Sequence, residues 1–242
     1  MKNLNGFKLA TGAVLLTSFA TVTDAAENLK FGWSGQVSRA VTFADNGTDD
    51  DILSVDNNNS GTRLRLTGQV DLNPGLQAGV VWETQYQDNS SSVVDIDDSD
   101  SASRTDTRKS ELWFKGGWGK ISLGQGDGAA NGTSEVDFSG TFLADYSGNN
   151  LDDGISFADS AGNKVVRNGA VFSNFDGLSR NDRVRYDTPK FGALGVAISG
   201  GQDRSELGLR YGQKLGSGGA QIGAALGYVC LLYTSPSPRD RG

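Results

Sequence analysis

The 242-residue sequence contains no histidine, one cysteine and four prolines. Without histidine the chain lacks the commonest general base and the commonest metal ligand, and a Ser–His–Asp hydrolase site is excluded. A single cysteine, Cys230, excludes an intramolecular disulfide framework. We therefore predict no catalytic residue, no metal site and no cofactor, and we expect a protein that is not an enzyme.

Long apolar runs are also missing after the first 25 residues. Hydrophobic residues make up 36 % of the chain, and no later stretch approaches the eighteen apolar residues of a membrane-spanning helix. The net charge of −7 argues against a nucleic-acid partner, which would require a basic patch. Glycine is abundant, with 34 residues, about twice its usual share.

Both ends of the chain are predicted to lie outside the folded domain. Residues 1–25 combine a basic start, an apolar stretch at 9–22 and a small-residue cleavage site, which is the pattern of a secretory signal peptide. Residues 230–242 contain CLLYTSPSPRD, which resembles the translation of a sequencing adaptor. We therefore expect residues 26–229 to be the N-terminal part of a longer exported domain, followed by an artefactual tail.

Between these ends, apolar and polar residues alternate as they do in β-strands with one apolar and one polar face. The clearest example is TRLRLTGQVDLN, residues 62–73, and DRVRYDT, residues 182–188, repeats its paired arginines. Arg39 interrupts the first strand and predicts a bulge or a departure from the apolar layer there. The pattern predicts about nine strands, at residues 29–43, 62–73, 76–86, 109–115, 120–123, 182–188, 194–198, 206–215 and 220–228.

Short and long connections alternate between the strands. NPG, GGWG, PKFG and GSGG are tight turns. The polar connections that start at Asp45 and Asp88 are long, and the third, at about 127–181, is longer still. This alternation is typical of an outer-membrane barrel.

Periodicity alone leaves two all-β interpretations open. One is a transmembrane antiparallel β-barrel, with aliphatic residues against lipid and arginines in a watery lumen. The other is a secreted, soluble all-β binding or adhesion module, with the arginines in solvent. The signal peptide, the turn lengths, the glycine content and the aromatic residues near strand ends favour the barrel. A barrel acting as a receptor or enzyme is disfavoured, since a transporter of that kind is expected to carry a plug domain before residue 29.

Two segments and the long loop between them resemble the general diffusion porins of Gram-negative bacteria. They are ELWFKGGWGKISLGQGDG, residues 111–128, and NDRVRYDTPKFGALGVAISGG, residues 181–201. The resemblance runs from the signal peptide to Val229 and rests on the order of strands and loops. It implies a sixteen-stranded antiparallel barrel, of which this chain would hold about nine strands. It also implies a homotrimer in the cell outer membrane that lets small hydrophilic solutes and ions diffuse passively, with a third loop folded into the lumen.

The same resemblance assigns candidate pore-lining residues by position. The acidic candidates in the third loop are Asp127, Glu135, Asp137 and Asp145. The basic candidates on the barrel wall are Arg63, Arg65, Arg183, Arg185 and Arg210. Opposed charges across a narrow constriction produce a field that orients dipolar solutes and biases ions. Alternatively, these arginines are solvated or paired with carboxylates on the strands, for which the candidates are Asp71, Glu83, Glu111 and Asp187.

Three further expectations concern ion selectivity, contacts with lipopolysaccharide, and closure of the sheet into a barrel. Gln125 stands where the family often has an arginine, which leaves ion selectivity open. The acidic stretch at 95–106 lacks the glycine and glutamate of a calcium-binding EF-hand loop, so we interpret it as a solvated loop whose carboxylates could bridge divalent cations to outer-membrane lipopolysaccharide. Nine strands are an odd number, whereas bacterial barrels have an even one. We therefore expect a curled open sheet with unpaired edges at the first strand and at the strand beginning at Ala220.

Overall fold

The computed structural model describes residues 29–135, 151–172, 174–215 and 220–231, except the side chains of Leu215, Ala220 and Gln221. The described chain is all-β, with a 3₁₀ turn at Asn58–Ser60 and a short helix α1 (Asn168–Val171). None of its helices is long and apolar enough to cross a membrane. The strands are β1 (Lys30–Gln36), β2 (Arg39–Asp45), β3 (Asp50–Asp56), β4 (Arg63–Asn73), β5 (Leu76–Gln87), β6 (Arg104–Gly116), β7 (Gly119–Gly126), β8 (Ser156–Ala158), β9 (Lys164–Arg167), β10 (Asn181–Asp187), β11 (Leu194–Gly201), β12 (Arg204–Leu215) and β13 (Ala220–Leu231).

Nine of these strands form one antiparallel sheet in the order β1–β4–β5–β6–β7–β10–β11–β12–β13. They correspond to the nine strands predicted from the alternation. In the described residues the sheet is open, and β1 and β13 are its edge strands, as expected. The last strand continues past Val229 to Leu231, so Cys230 pairs with Ser205 inside the sheet.

The sheet has an apolar face that is exposed and a polar face that is largely covered. On β5, Val80, Trp82 and Tyr86 on the apolar face are 41–50 % exposed. Between them on the other face, Glu83 is fully buried and Gln85 is 6 % exposed. A soluble sheet would bury its apolar face instead. The observed distribution is that of a barrel wall whose outer surface contacts lipid.

Tight turns join the strands at one end of the sheet, which we call the short-turn end. Gly75 closes the turn between β4 and β5 with φ of +87°, a conformation that glycine adopts at little cost. Gly119 begins β7 with φ of +116°, and a Cβ atom there would lie 2.3 Å from the carbonyl oxygen of Asp187. The turn predicted at 216–219 lies outside the described residues.

The prediction of one strand over residues 29–43 was wrong. The chain leaves the large sheet after Gln36, and β2 pairs with β3 in a separate two-stranded sheet. The departure is fixed at Ser38, whose N–H donates to Thr62 Oγ1 and whose carbonyl accepts from the N–H of Asn57. β3 lies within the polar connection that was predicted to be a loop.

The long loops meet at the opposite end of the sheet, the long-loop end, around a small apolar core. Ala44, Leu53 and Val55 of the β2–β3 hairpin are buried together with Val94, which lies in the loop after β5. Ile155, in the third loop, packs against this group. Burial of these side chains explains why the hairpin forms. The third loop also contains the β8–β9 hairpin and α1.

Candidate functional site

Antiparallel pairing arranges the side chains of the polar face in rows across the strands. One row places Arg65 of β4 opposite Glu83 of β5, and Glu83 opposite Lys109 of β6. A second row, nearer the short-turn end, places Glu111 of β6 opposite Gly124, which in turn faces Arg183 of β10. Side chains from neighbouring strands therefore meet in rows on one polar surface.

Glu83 is the centre of an arginine cluster at the long-loop end of this surface. Its Oε2 accepts from Arg65 Nε at 2.5 Å, and its Oε1 accepts from Arg108 Nε at 2.7 Å. Arg63 Nη1 lies 3.9 Å from Oε1. Arg108 also donates to Gln85 Oε1 at 2.5 Å. A carboxylate without solvent exposure is thus held by three guanidinium groups, which compensate its desolvation.

Arg108 belongs to this cluster because of a β-bulge. Glu83 pairs with Lys109 and the next residue, Thr84, pairs with Thr107, so Arg108 is an extra residue on β6. A bulge redirects a side chain that simple alternation would place on the opposite face. Arg108 was not among the predicted basic residues for this reason.

The third loop begins directly beside these charges. The carboxylate of Asp127, the first residue after β7, accepts from Lys109 Nζ and lies 3.8 Å from Arg180 Nη1. Burial alone would raise the pKa of Asp127, but the positive charges of Lys109 and Arg180 outweigh it and lower this pKa. Burial and repulsion by Arg108 lower the pKa of Arg180. Asp127 therefore stays ionised among cations.

Two strand arginines hold the backbone of the same loop. Arg183 donates from Nε to the carbonyl of Asp127 at 3.0 Å and from Nη2 to Glu111 Oε2 at 2.7 Å. Arg185 donates from Nη1 to the carbonyl of Gly128 at 2.9 Å, and its Nη2 lies 2.7 Å from Asp187 Oδ1. Charge-assisted bonds of this kind fix the path of the loop over the polar face.

The next residues of the third loop pack onto β11, β12 and β13, in a contact region that we call the loop seat. The N–H groups of Ala129 and Ala130, both fully buried, donate to Ser199 Oγ at 2.8 Å and to Glu206 Oε2 at 2.9 Å. A Cβ atom on Gly208 would lie 2.0 Å from the carbonyl oxygen of Ala129. The backbone of the loop therefore contacts the backbone of the sheet, and glycine at 208 is what permits this approach.

The structure places the predicted site residues in different environments. Arg63 and Arg65 contact Glu83, and Asp127 contacts Lys109, the cross-strand neighbour of Glu83. The side-chain exposures of Arg63, Arg65 and Asp127 are 22 %, 41 % and 30 %. Arg183 is buried beneath the loop, with only 3 % of its side chain exposed.

Arg185 is 18 % exposed. Of the next two predicted residues, Arg210 lies on β12 and Glu135 lies in the third loop. Arg210 Nη2 donates to the carbonyl of Asn131 at 2.5 Å, and Glu135 accepts from Asn174 Nδ2 at 3.4 Å. Asp137 and Asp145 lie outside the described residues. The alternative pairing of arginines with strand carboxylates is observed at Glu83, Glu111 and Asp187, whereas Asp71 contacts Lys30 at 3.5 Å.

Trp113 also lies on the polar face, where its partners explain its position between Leu112 and Phe114. It pairs with Gly79 of β5, and a Cβ atom on Gly79 would lie 2.3 Å from Trp113 Cζ2. Lys120 Nζ lies 5.3 Å from the centroid of the ring. No group of three or more Cys, Asp or Glu residues in the described part of the chain is arranged to hold a metal ion.

One family model agrees with this architecture. A family model described as Gram-negative porin matches residues 10–234. The chain is similar to the solved anion-selective porin from Comamonas acidovorans, with 18 % identity, a TM-score of 0.45, and coverage of 81 % of this chain and 60 % of that one. It is also similar to OmpT, an outer membrane protein of Vibrio cholerae solved in a trimer form, with 14 % identity, a TM-score of 0.42, and coverage of 83 % and 58 %. Comparison with curated proteins gives no match.

The chain thus spans about 60 % and 58 % of the length of these two solved structures. The predicted all-β class and antiparallel transmembrane barrel fold, of which nine strands are described here, are confirmed. Because the family model covers nearly the whole chain, this protein belongs to the Gram-negative porin family.

Proposed function

We propose that the protein is an outer-membrane pore for the passive diffusion of small hydrophilic solutes and ions. One observation carries the proposal: the segment from Asp127 to Thr133 lies on the polar face of a sheet whose apolar face is exposed. A loop seated on the polar wall narrows a watery lumen without closing it. The protein is then a channel and not an enzyme.

The constriction lies between the Glu83 cluster and the start of the third loop. Arg63, Arg65 and Arg108 form its basic wall, and Asp127 forms part of the acidic side. Arg65 is the most exposed of the three arginines, at 41 %, so its charge acts on passing solutes most directly. Opposed charges in this narrow space produce the transverse field.

Arg183 and Arg185 have a different role, together with Arg210. All three donate hydrogen bonds to carbonyl groups of the third loop, from Asp127 to Asn131. Arg183 is almost inaccessible to solvent. We assign these arginines to holding the loop in place, whereas selectivity depends on the more exposed residues at the Glu83 cluster.

The same proposal specifies the cellular location, the lipid contacts and the oligomeric state of the protein. The signal peptide at 1–25 exports the chain, the exposed apolar face contacts outer-membrane lipid, and acidic loops at the long-loop end face lipopolysaccharide. The full-length protein assembles as a homotrimer. Since the chain spans about three-fifths of the solved structures it matches, conduction belongs to the complete barrel.

Conductance in planar bilayers tests the proposal. Sequencing the source DNA across Val229 and Cys230 first defines the reading frame to be expressed. We expect discrete conductance steps, and Arg65→Gln to shift the reversal potential in a salt gradient toward cations. Arg104→Gln is the matched control, because the side chain of Arg104 is 63 % exposed and lies where β6 begins, at the long-loop end. A mature protein that is soluble and monomeric without detergent would refute the pore and support the adhesion module.

A further inference from the structure

A second feature of the polar face lies at the short-turn end, away from the third loop. Trp113 is half-buried and covers Gly79 of the neighbouring strand. The row in which it stands continues to Gln69 of β4 on one side and to Ser122 of β7 on the other. An indole in an otherwise polar row offers a flat apolar surface to whatever enters the lumen.

Two lysines adjoin this indole. Lys115 and Lys120 are directly opposite each other across β6 and β7, an arrangement in which like charges destabilise a sheet. Lys120 lies 5.3 Å from the centre of the Trp113 ring, and its nearest carboxylate oxygen, on Glu111, is 3.9 Å away. Lys115 is exposed and makes no ion pair within the described residues. An anion between the two ammonium groups would relieve their repulsion.

These side chains line a cavity of about 520 Å³, a volume in the range of small-molecule sites. Its polar lining residues include Lys30, Gln69, Gln77, Lys115 and Lys120, and its aromatic lining residues are Phe31 and Trp113. The hydrogen bonds that hold the described start of the third loop come from Lys109 of β6 and from residues of β10, β11 and β12, and none of these donors and acceptors on the strands lines the cavity. The described part of that loop therefore leaves the cavity, which is lined by β1 and β4–β7, accessible from the lumen.

We propose that Trp113, Lys115 and Lys120 form a binding site for small aromatic carboxylates. The carboxylate lies between the two ammonium groups, which supply charge-assisted hydrogen bonds. The ring of the ligand packs against the indole of Trp113. The site rests on the proposed function, since its ligand reaches it through a watery lumen. Small aromatic carboxylates are then a class of solute that the pore retains briefly during passage.

Binding is measured on the full 242-residue chain refolded in detergent micelles, with ¹⁵N-labelled tryptophan. The chain has four tryptophans, Trp33, Trp82, Trp113 and Trp118, and Trp113→Phe assigns the indole signal of interest. We expect benzoate to shift that signal saturably. Acetate, which lacks a ring, and benzyl alcohol, which lacks a charge, should give no saturable shift at the same concentrations.

The lysines are tested with the double variant Lys115→Gln and Lys120→Gln, which removes a like-charge pair and is expected to fold. Its dissociation constant for benzoate should rise at least roughly tenfold. Lys190→Gln, at the short-turn end but outside this cavity, is the control and should bind benzoate as the unmodified chain does. Equal shifts of all four indoles, or unchanged affinity in the double variant, would overturn the site.

Conductance separates this inference from the proposed function. Saturable benzoate binding in micelles together with absence of conductance by the complete protein rejects the pore and leaves the site standing. Conductance without saturable binding at Trp113 rejects the site and leaves the pore standing.

Discussion

Asp95 connects two long loops and gives the long-loop end a predictable response to acid. It lies in the loop after β5, is 2 % exposed, and its Oδ2 lies 2.8 Å from Lys164 Nζ of β9. Its Oδ1 accepts from the N–H of Ser156 at 3.2 Å. Burial alone would raise the pKa of Asp95, but the hydrogen bonds from Lys164 and Ser156 outweigh burial and lower this pKa to about 2.

The sign and size of the effect follow from linkage. In an opened loop the carboxyl group has an ordinary pKa of about 4. The pKa of Asp95 is lower in the closed form than in the opened form. Asp95 therefore stabilises the closed loops fully above pH 4, and this stabilisation is lost as the pH falls from about 4 to 2. The difference between the two pKa values corresponds to about 2–3 kcal/mol in the equilibrium between closed and opened loops. Because Asp95 is about half protonated at pH 2, roughly a thirtyfold part of this change is lost by that pH.

Amide hydrogen exchange in micelles measures this equilibrium, with each rate divided by the intrinsic rate at the same pH. Protection of the Ser156 amide should fall about thirtyfold between pH 5 and pH 2, and Asp95→Asn should show the low value already at pH 5. Asp97→Asn is the control: Asp97 lies 3.3 Å from the same lysine but is 58 % exposed, and exposed pairs contribute little. Equal effects of the two substitutions would refute the reasoning.

Two further substitutions test the wall and the loop seat. Glu83→Gln leaves three arginines without their shared carboxylate and should lower the free energy of unfolding in detergent by about 3 kcal/mol; Asp71→Asn, an exposed carboxylate on the same face, should change it by less than about 1 kcal/mol. Gly208→Ala should displace Ala129, cost about 1–3 kcal/mol and increase proteolysis after Asp127. Gly212→Ala is its control, because nothing lies within 4 Å of a Cβ there; equal proteolysis of the two glycine variants would contradict the seat.

The large sheet was predictable because every one of its strands has one apolar and one polar face. The pairing of β2 with β3 was not predicted, since β2 was interpreted as the end of the first strand and β3 lies in a segment rich in Asp and Asn that was interpreted as a loop. A signal was present: Leu53 and Val55 alternate with polar residues in the middle of that segment. Their burial depends on Val94 and Ile155 from two other loops, and a contact between distant loops has no local signature.

The alternation predicted which face of the sheet carries the candidate site residues, but it did not predict the role of each residue. Alternation placed Arg63, Arg65 and Arg183 on the polar face, but it could not distinguish a guanidinium that faces the lumen from one buried under a loop. That distinction depends on where the third loop lies. Arg108 was missed because its inward direction comes from a bulge, and Arg180 was missed because it lies in the loop just before β10.

The local charge at the Glu83 cluster differs from the charge of the whole chain, and this difference leads to a prediction about ions. The chain carries −7, yet Arg63, Arg65 and Arg108 surround the single carboxylate of Glu83, which leaves a local charge of +2. Acidic residues instead populate the loops at the long-loop end. Ion bias is set by the charges that line the narrowest part, and their field is least screened there. We therefore expect the complete pore to favour anions in a salt gradient, and a preference for cations would show that the Glu83 cluster does not line the constriction.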